Sequence, residues 1–389
     1  MIRDRQRAVV RGTVNASRAV HVRVARRTSP PAPDLNVPPP PSGLVQDKVP
    51  ITGPRSGAWD KINSVRQAMT KTPLEATPAP RSSRPQPPRP LVAIKDIAWL
   101  LYLYPARWLA RVLPLRFVYA LGDAAGACAA ACLPATRKAL LRSLALAFSP
   151  DIGDPALNAL ADRYFRNDIL RFLDDLLMQR LLREHRLRNA EVVHLDNLTQ
   201  ALAAGHGALL VSPHFFASRL AKRHLATIGF PSLSVRHHAP PDRHAGRFGM
   251  RFLQKHYVAL VGEALGDEVS ALDPECSLKM LARLRSGGLV DCHMDAACSR
   301  EVVRRSFCGR EKPFPAGFLH VAKLAGCPLV PLECLGNSRR LRIEVGKPIW
   351  LSDAPDRRSF VETNLTPVLR VVEEQIKRHP AEWDLWIRW

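Results

Sequence analysis

Between residues 205 and 345 the chain repeats one rhythm: a short apolar run, a stretch with helical spacing, then another short apolar run. Ala208–Ser212, Ser232–Arg236, 258–261, Leu289–His293, 329–335 and 341–345 are too short for buried helices and read as strands. Ser218–Thr227, 241–257, the stretch from Asp273-Pro274 to Gly287-Gly288, 317–324 and 360–377 carry helical spacing between them. Further upstream, Asp154-Pro155 reads as an N-cap followed by proline at the first helical position. Apolar positions 157, 160, 164, 165, 169, 173, 176 and 177 then continue a helix to about Leu182. Strands separated by helices demand crossover connections, so the expected fold is α/β, a mostly parallel central sheet flanked by helices on both faces. In such sheets ligands sit beyond the carboxyl ends of the strands, where polar residues of the connecting loops collect.

Composition bounds the rest. The 389 residues carry 57 Lys+Arg against 35 Asp+Glu, a formal +22, which favours anionic partners. Half of that excess lies in residues 1–90, with 16 basic and 5 acidic residues and 16 of the 34 prolines. So little apolar surface cannot offset the ordering entropy, and 1–90 is expected to be a disordered Pro/Arg-rich arm ahead of a 91–389 domain. No run of 18 uncharged apolar residues occurs, which argues against a bundle of membrane-spanning helices. Stretches 97–104 and 108–133 instead mix Leu, Ala and aromatics with Arg107, Arg111 and Arg116, a pattern suited to helices at a membrane interface (91–133). Eight scattered cysteines and no secretory signal point to a reduced compartment. Aromatics are 6% of residues and do not interleave with the basic runs, so no nucleic-acid partner is expected.

The strand ends hold the chemistry. Ala208–Ser212 runs into Pro213-His214-Phe215-Phe216-Ala217-Ser218-Arg219, which puts an imidazole between a buried strand and a helix N-terminus. Ser232–Arg236 exits into His237-His238, and the helix beyond carries Arg243, His244, Arg247 and Arg251, a cationic lining suited to phosphate or carboxylate. Leu289–His293 exits through Asp291, His293 and Asp295. The grouping of Cys292, His293 and Cys298 lacks a second pair at zinc spacing, and small buried thiols explain it more simply, so no metal site is assigned. No Gly-rich phosphate loop, Gly-x-Ser-x-Gly elbow or dinucleotide fingerprint occurs.

A set of short motifs follows this frame in order: Tyr104-Pro105, Gly122…Gly126, Leu198…Ala204-Gly205-His206-Gly207 and His214, then Arg251 and Gly287-Gly288…Asp295. Phe307-Cys308-Gly309, Pro315-x-Gly317, Ala325-Gly326-Cys327-Pro328-x-x-Pro331 and His379-Pro380-x-x-Trp383…Arg388-Trp389 complete it. With these, residues 99–389 resemble the lysophospholipid acyltransferase-like superfamily, in its lipid A biosynthesis (lauroyl/myristoyl) branch. The resemblance implies an acyltransferase on the cytoplasmic face of the inner membrane, peripheral or monotopic. Such an enzyme moves a fatty acyl group from an acyl carrier protein or CoA thioester, as co-substrate, to a lipid or glycolipid acceptor. No other cofactor is implied.

In that family a histidine, four residues and then Asp or Glu form the catalytic signature. Here His214 is followed at that position by Arg219. A cation beside the ring is expected to lower its pKa and remove the group that fixes its tautomer. Asp295, or Asp291, from a neighbouring strand end is the candidate substitute. The resemblance thus implies His214 as the catalytic base and Arg251 as a headgroup-binding residue; Asp295 is the candidate catalytic acid beside it, and Arg219, Arg247, Phe215 and Gly317 are the further candidate substrate-binding residues. Two readings stay open: an acyltransferase with an altered dyad, or a catalytically impaired relative that binds acyl lipid or carrier protein.

Overall fold

The computed structural model describes residues 94–389 except 149–152, 185–186, 188–189, 237–245, 247 and 296–301. All of them belong to the unit Leu74–Trp389. The expected arm over 1–90 lies outside the described residues, as do Arg243, His244, Arg247 and Cys298.

Among the described residues, five α-helices precede the sheet: Ile94–Leu101 (α1), Arg107–Val112 (α2), Leu115–Cys132 (α3), Pro134–Phe148 (α4) and Asp154–Arg183 (α5). A π-helical turn, Tyr102–Ala106, joins α1 to α2 and contains Pro105, whose missing N–H breaks the regular ladder. Gly153 is the N-cap of α5, one residue before the expected Asp154, and Pro155 keeps its place in the first turn. α3 buries Val118, Tyr119, Gly122, Gly126 and Ala130. A Cβ on Gly126 would lie 2.6 Å from the Arg166 Cα, so glycine lets the α3 and α5 backbones approach closely.

The remaining elements, in chain order, begin with Glu191–Val193 (β1), Leu195–Ala203 (α6), Ala208–Ser212 (β2), Ser218–Thr227 (α7) and Ser232–Arg236 (β3). Gln254–Leu265 (α8), Glu268–Ser270 (β4), Cys276–Arg285 (α9) and Leu289–His293 (β5) follow. Then come Val302–Phe307 (β6), Arg310–Pro315 (β7), Gly317–Ala325 (α10), Leu329–Asn337 (β8), Arg340–Val345 (β9) and Arg357–Arg378 (α11). Seven strands form one sheet in the order β1-β9-β8-β2-β5-β3-β4. The run from β8 to β4 is parallel, β9 is antiparallel to β8, and β1 is parallel to β9. The expected mostly parallel sheet is therefore present.

One expectation is corrected and one element is added. The run 258–261 is not a strand: it continues α8, which extends to Leu265 and stops at Gly266, whose φ of 77° ends the helix. Four apolar residues fit a buried helix as well as a strand, and the next strand is instead Glu268–Ser270, with only Val269 buried. The pair β6 and β7 is an antiparallel hairpin outside the main sheet, unannounced by the sequence because charged residues interrupt any apolar run.

The sheet separates two cores. Leu209, Val211, Val290, Cys292 and Met294 face one core with Leu140, Leu144, Leu319 and Trp383. Ala208, Leu210 and Leu289 face the other, with Tyr119, Leu177, Leu198 and Leu220. The even positions of β2 and odd positions of β5 thus lie on the α7 side. Asp291, His293 and Asp295 follow Leu289 at every second residue along β5 and its exit.

Candidate active site

β2 and β5 are parallel neighbours in which Ser212 pairs with His293. The Met294 N–H donates to the Ser212 carbonyl at 3.1 Å and carries the ladder past the strand ends. His214 and Asp295 each lie two residues beyond that last pair, so register alone brings them together. The His214 N–H donates to Asp295 Oδ2 at 2.6 Å, and the ring Nδ1 bonds to Asp295 Oδ1. Trp383 Nε1–H donates to the same carboxylate at 2.5 Å. The Asp295 side chain has no exposure, whereas that of His214 retains 31%. One ring edge therefore faces a buried acid while the ring still reaches outward.

The C-terminal segment completes the frame. Asp384 N–H donates to the His214 carbonyl at 2.9 Å, and Phe216 N–H donates to the Glu382 carbonyl at 2.9 Å. A β-bridge joins Phe215 to Trp383. The last residues thus pin the backbone on either side of the imidazole. Trp383, absent from the site residues expected from sequence, is the anchor. Its only sequence signal is its place in the His379-Pro380-x-x-Trp383 motif.

The electrostatics reverse the expectation for His214. Burial pulls its pKa down, but the Asp295 carboxylate, as charge and as acceptor, outweighs this, with Asp384 assisting, and holds the pKa above the usual histidine value. Arg219 contributes only a minor opposing effect because its guanidinium turns elsewhere: Nη1 bonds to Asp175 Oδ2 and to the Tyr257 hydroxyl at 3.2 Å. Asp295 is held below the usual carboxylate range: burial alone would raise it, but its contacts with His214 prevail. The lowered pKa expected from an adjacent Arg219 is therefore corrected. The Arg219 cation is paired with Asp175 of α5, and an acid arrives from just beyond β5 instead.

A second imidazole lies against the first. The His293 ring stacks on that of His214 with centroids 4.1 Å apart and planes at 28°. Its Nδ1 bonds to Ser212 Oγ at 3.1 Å. Asp291, the other carboxylate considered, instead accepts from Ser234 Oγ at 3.2 Å.

The remaining sequence-predicted residues fall as follows. Phe215 is buried in the core with Trp383, and Gly317 opens α10. Arg251 lies in a π-helical turn, Gly249–Leu253, and its side chain is outside the described residues, as is all of Arg247. Among the described residues no cluster of three or more His, Cys, Asp or Glu could hold a metal ion.

The family model described as bacterial lipid A biosynthesis acyltransferase matches residues 92–389. Among solved structures, a similar chain is the 1-acyl-sn-glycerophosphate (LPA) acyltransferase, PlsC, from Thermotoga maritima. The two share 14% identity, over 72% of this chain and 97% of that one, with a TM-score of 0.29. No curated protein matches.

Proposed function

The chain belongs to the bacterial lipid A biosynthesis acyltransferase family and is an acyltransferase, and on that premise we propose that His214 is its general base, oriented by Asp295. The observation that carries this reading is the bond from His214 Nδ1 to a fully buried carboxylate. With Nδ1–H donated to Asp295, Nε2 is left as the acceptor. It takes the proton from an acceptor hydroxyl as that oxygen attacks the carbonyl carbon of an acyl thioester. The new C–O bond forms, the C–S bond breaks, and the proton held by the imidazole goes to the leaving thiolate. Asp295 remains ionised, stabilising the imidazolium and fixing the tautomer.

The donor is an acyl carrier protein or CoA thioester, and the acceptor a lipid or glycolipid with a free hydroxyl. Arg219, Arg247 and Arg251 are proposed to favour an anionic headgroup, with Phe215 and Gly317 shaping the approach to the ring. Arg219 supports this in that its side chain keeps 30% exposure despite its bond to Asp175.

The enzyme works at a membrane surface. Ile97, Leu101, Tyr104, Trp108, Val112, Phe117 and Leu121, on α1 to α3 and the turn between them, are all exposed, with Arg107, Arg111 and Arg116 interleaved. Large apolar side chains beside guanidinium groups suit the boundary between acyl chains and phosphates. α3 is long and apolar enough to cross a membrane by length and composition. Its Gly126 face is nevertheless packed on α5, and its Asp123 pairs with Arg339 at 3.2 Å, which supports a helix lying on the domain. The cytoplasmic face of the inner membrane is the corresponding location.

Purified protein supplied with radiolabelled acyl thioesters and a panel of lipid acceptors should form an acylated lipid. His214→Ala should abolish that product; equal turnover by this variant would refute the base. Tight acyl-lipid binding without turnover by the wild type would favour the impaired-relative reading.

A further inference from the structure

On the α7 face, β5 and its exit carry three polar residues at alternate positions, and each reaches across to a neighbouring strand. Asp291 accepts from Ser234 of β3, His293 bonds to Ser212 of β2, and Asp295 bonds to His214. Cys292 and Met294, between them, are buried in the opposite core. The first and third rungs fix a carboxylate. The middle rung fixes an aromatic ring, and that ring lies flat against His214.

We infer that His293 is a positioning residue for His214, one whose stacked face holds the ring plane that the Asp295 bond leaves free. The inference rests on the reading of His214 as the base. A single bond at Nδ1 fixes one edge of an imidazole but permits rotation of the ring about its attachment. Such rotation, with the sway of the side chain that accompanies it, takes Nε2 out of line with the acceptor hydroxyl, and a misplacement of about 1 Å costs on the order of 10²-fold in rate. A stacked ring 4.1 Å away, its plane at 28°, blocks that rotation from one side. Its own orientation is fixed by the Ser212 hydroxyl, which bonds to Nδ1.

The stack requires that His293 stay neutral when His214 takes a proton, since two stacked imidazolium ions would repel. Burial, and then the charge of His214, hold His293 down to about 4, so it carries no charge near neutral pH. Ser212 of β2 and His214 just beyond it face it, as do Asp291 of β5 and Asp295 just beyond it; Asp384 and Arg219 act on the His214 partner. At so low a pKa His293 is itself a poor base for neutral-pH chemistry, which separates its role from that of His214.

Two variants test this: His293→Phe keeps a flat ring without nitrogens, and His293→Ala removes the ring. Each is assayed for acyl transfer across pH, and the His214 resonances of histidine-labelled protein are followed by NMR titration. The phenylalanine variant should keep kcat within a few-fold and the acidic limb in place. The alanine variant should lose kcat by roughly 10–100-fold with KM little changed. Its acidic limb should move to higher pH, because uncovering His214 removes the burial that pulls its pKa down. Unchanged kcat and unchanged His214 titration in His293→Ala would overturn the inference, as would equal losses in both variants with the His214 titration unmoved. Should His214→Ala prove fully active, the base assignment itself fails. The NMR titration still reports, apart from activity, whether the stack sets the properties of the His214 ring.

Discussion

A histidine proposed to accept a proton near neutral pH needs a partner for its other nitrogen, and the partner of His214 is a buried aspartate with three donors: the His214 amide, the His214 ring and the Trp383 indole. Asp295→Asn keeps the shape but presents an amide that can hold the wrong tautomer. Acyl transfer should fall by about 10³–10⁴-fold with the fold intact by circular dichroism. Because the His214 pKa stands above the ordinary 6.5, kcat/KM should fall on the acidic side of a midpoint above pH 6.5. Asp295→Asn should shift any residual limb to lower pH, since the charge that raises the imidazole is gone. At Arg219 the sequence suggests a lost catalytic acid, yet Arg219→Glu should not restore one. It would set a carboxylate beside buried Asp175, whose remaining partners are Arg171 at 4.0 Å and the Tyr257 hydroxyl at 3.2 Å, and should lower stability by about 1–3 kcal/mol, measured by urea denaturation.

At the scale of elements, strands bounded by glycine or by charged residues were legible: Ala208–Ser212, Ser232–Arg236 and Leu289–His293 have the bounds that apolar runs imply. The run 258–261 was not, because four apolar residues satisfy both periods and only the downstream Gly266 decides between them. The short strand β1 and the hairpin of β6 and β7 bury few of their side chains, so no apolar run marks them. For the site, the alternation Asp291, His293, Asp295 was readable, but which of them meets His214 was not. That follows from the register of Ser212 on His293, a tertiary fact. The packing of α3 on α5 makes its own prediction. Gly126→Leu would drive a side chain into the Arg166 backbone and should cost about 1–3 kcal/mol in thermal or chemical denaturation.

At the scale of the whole molecule, the exposed apolar residues of α1 to α3 and the excess of basic residues favour the same environment, a surface both greasy and anionic. Trp108 is 63% exposed and Leu121 is 62% exposed. Replacing both with glutamate removes about 1.5–3 kcal/mol of burial per side chain at the membrane, so binding to anionic vesicles should weaken by tenfold or more in a flotation assay. Added salt should weaken wild-type binding as well, through screening of the arginines. Acyl transfer to a detergent-dispersed acceptor should be much less affected than transfer to one held in vesicles.

The imidazole and its acid are 81 residues apart in the chain, and the indole that braces the acid is 88 further on. No local segment can therefore assemble a working centre. During refolding from denaturant, helical signal should return first and turnover last, together with the slowest phase, when these remote stretches finally meet.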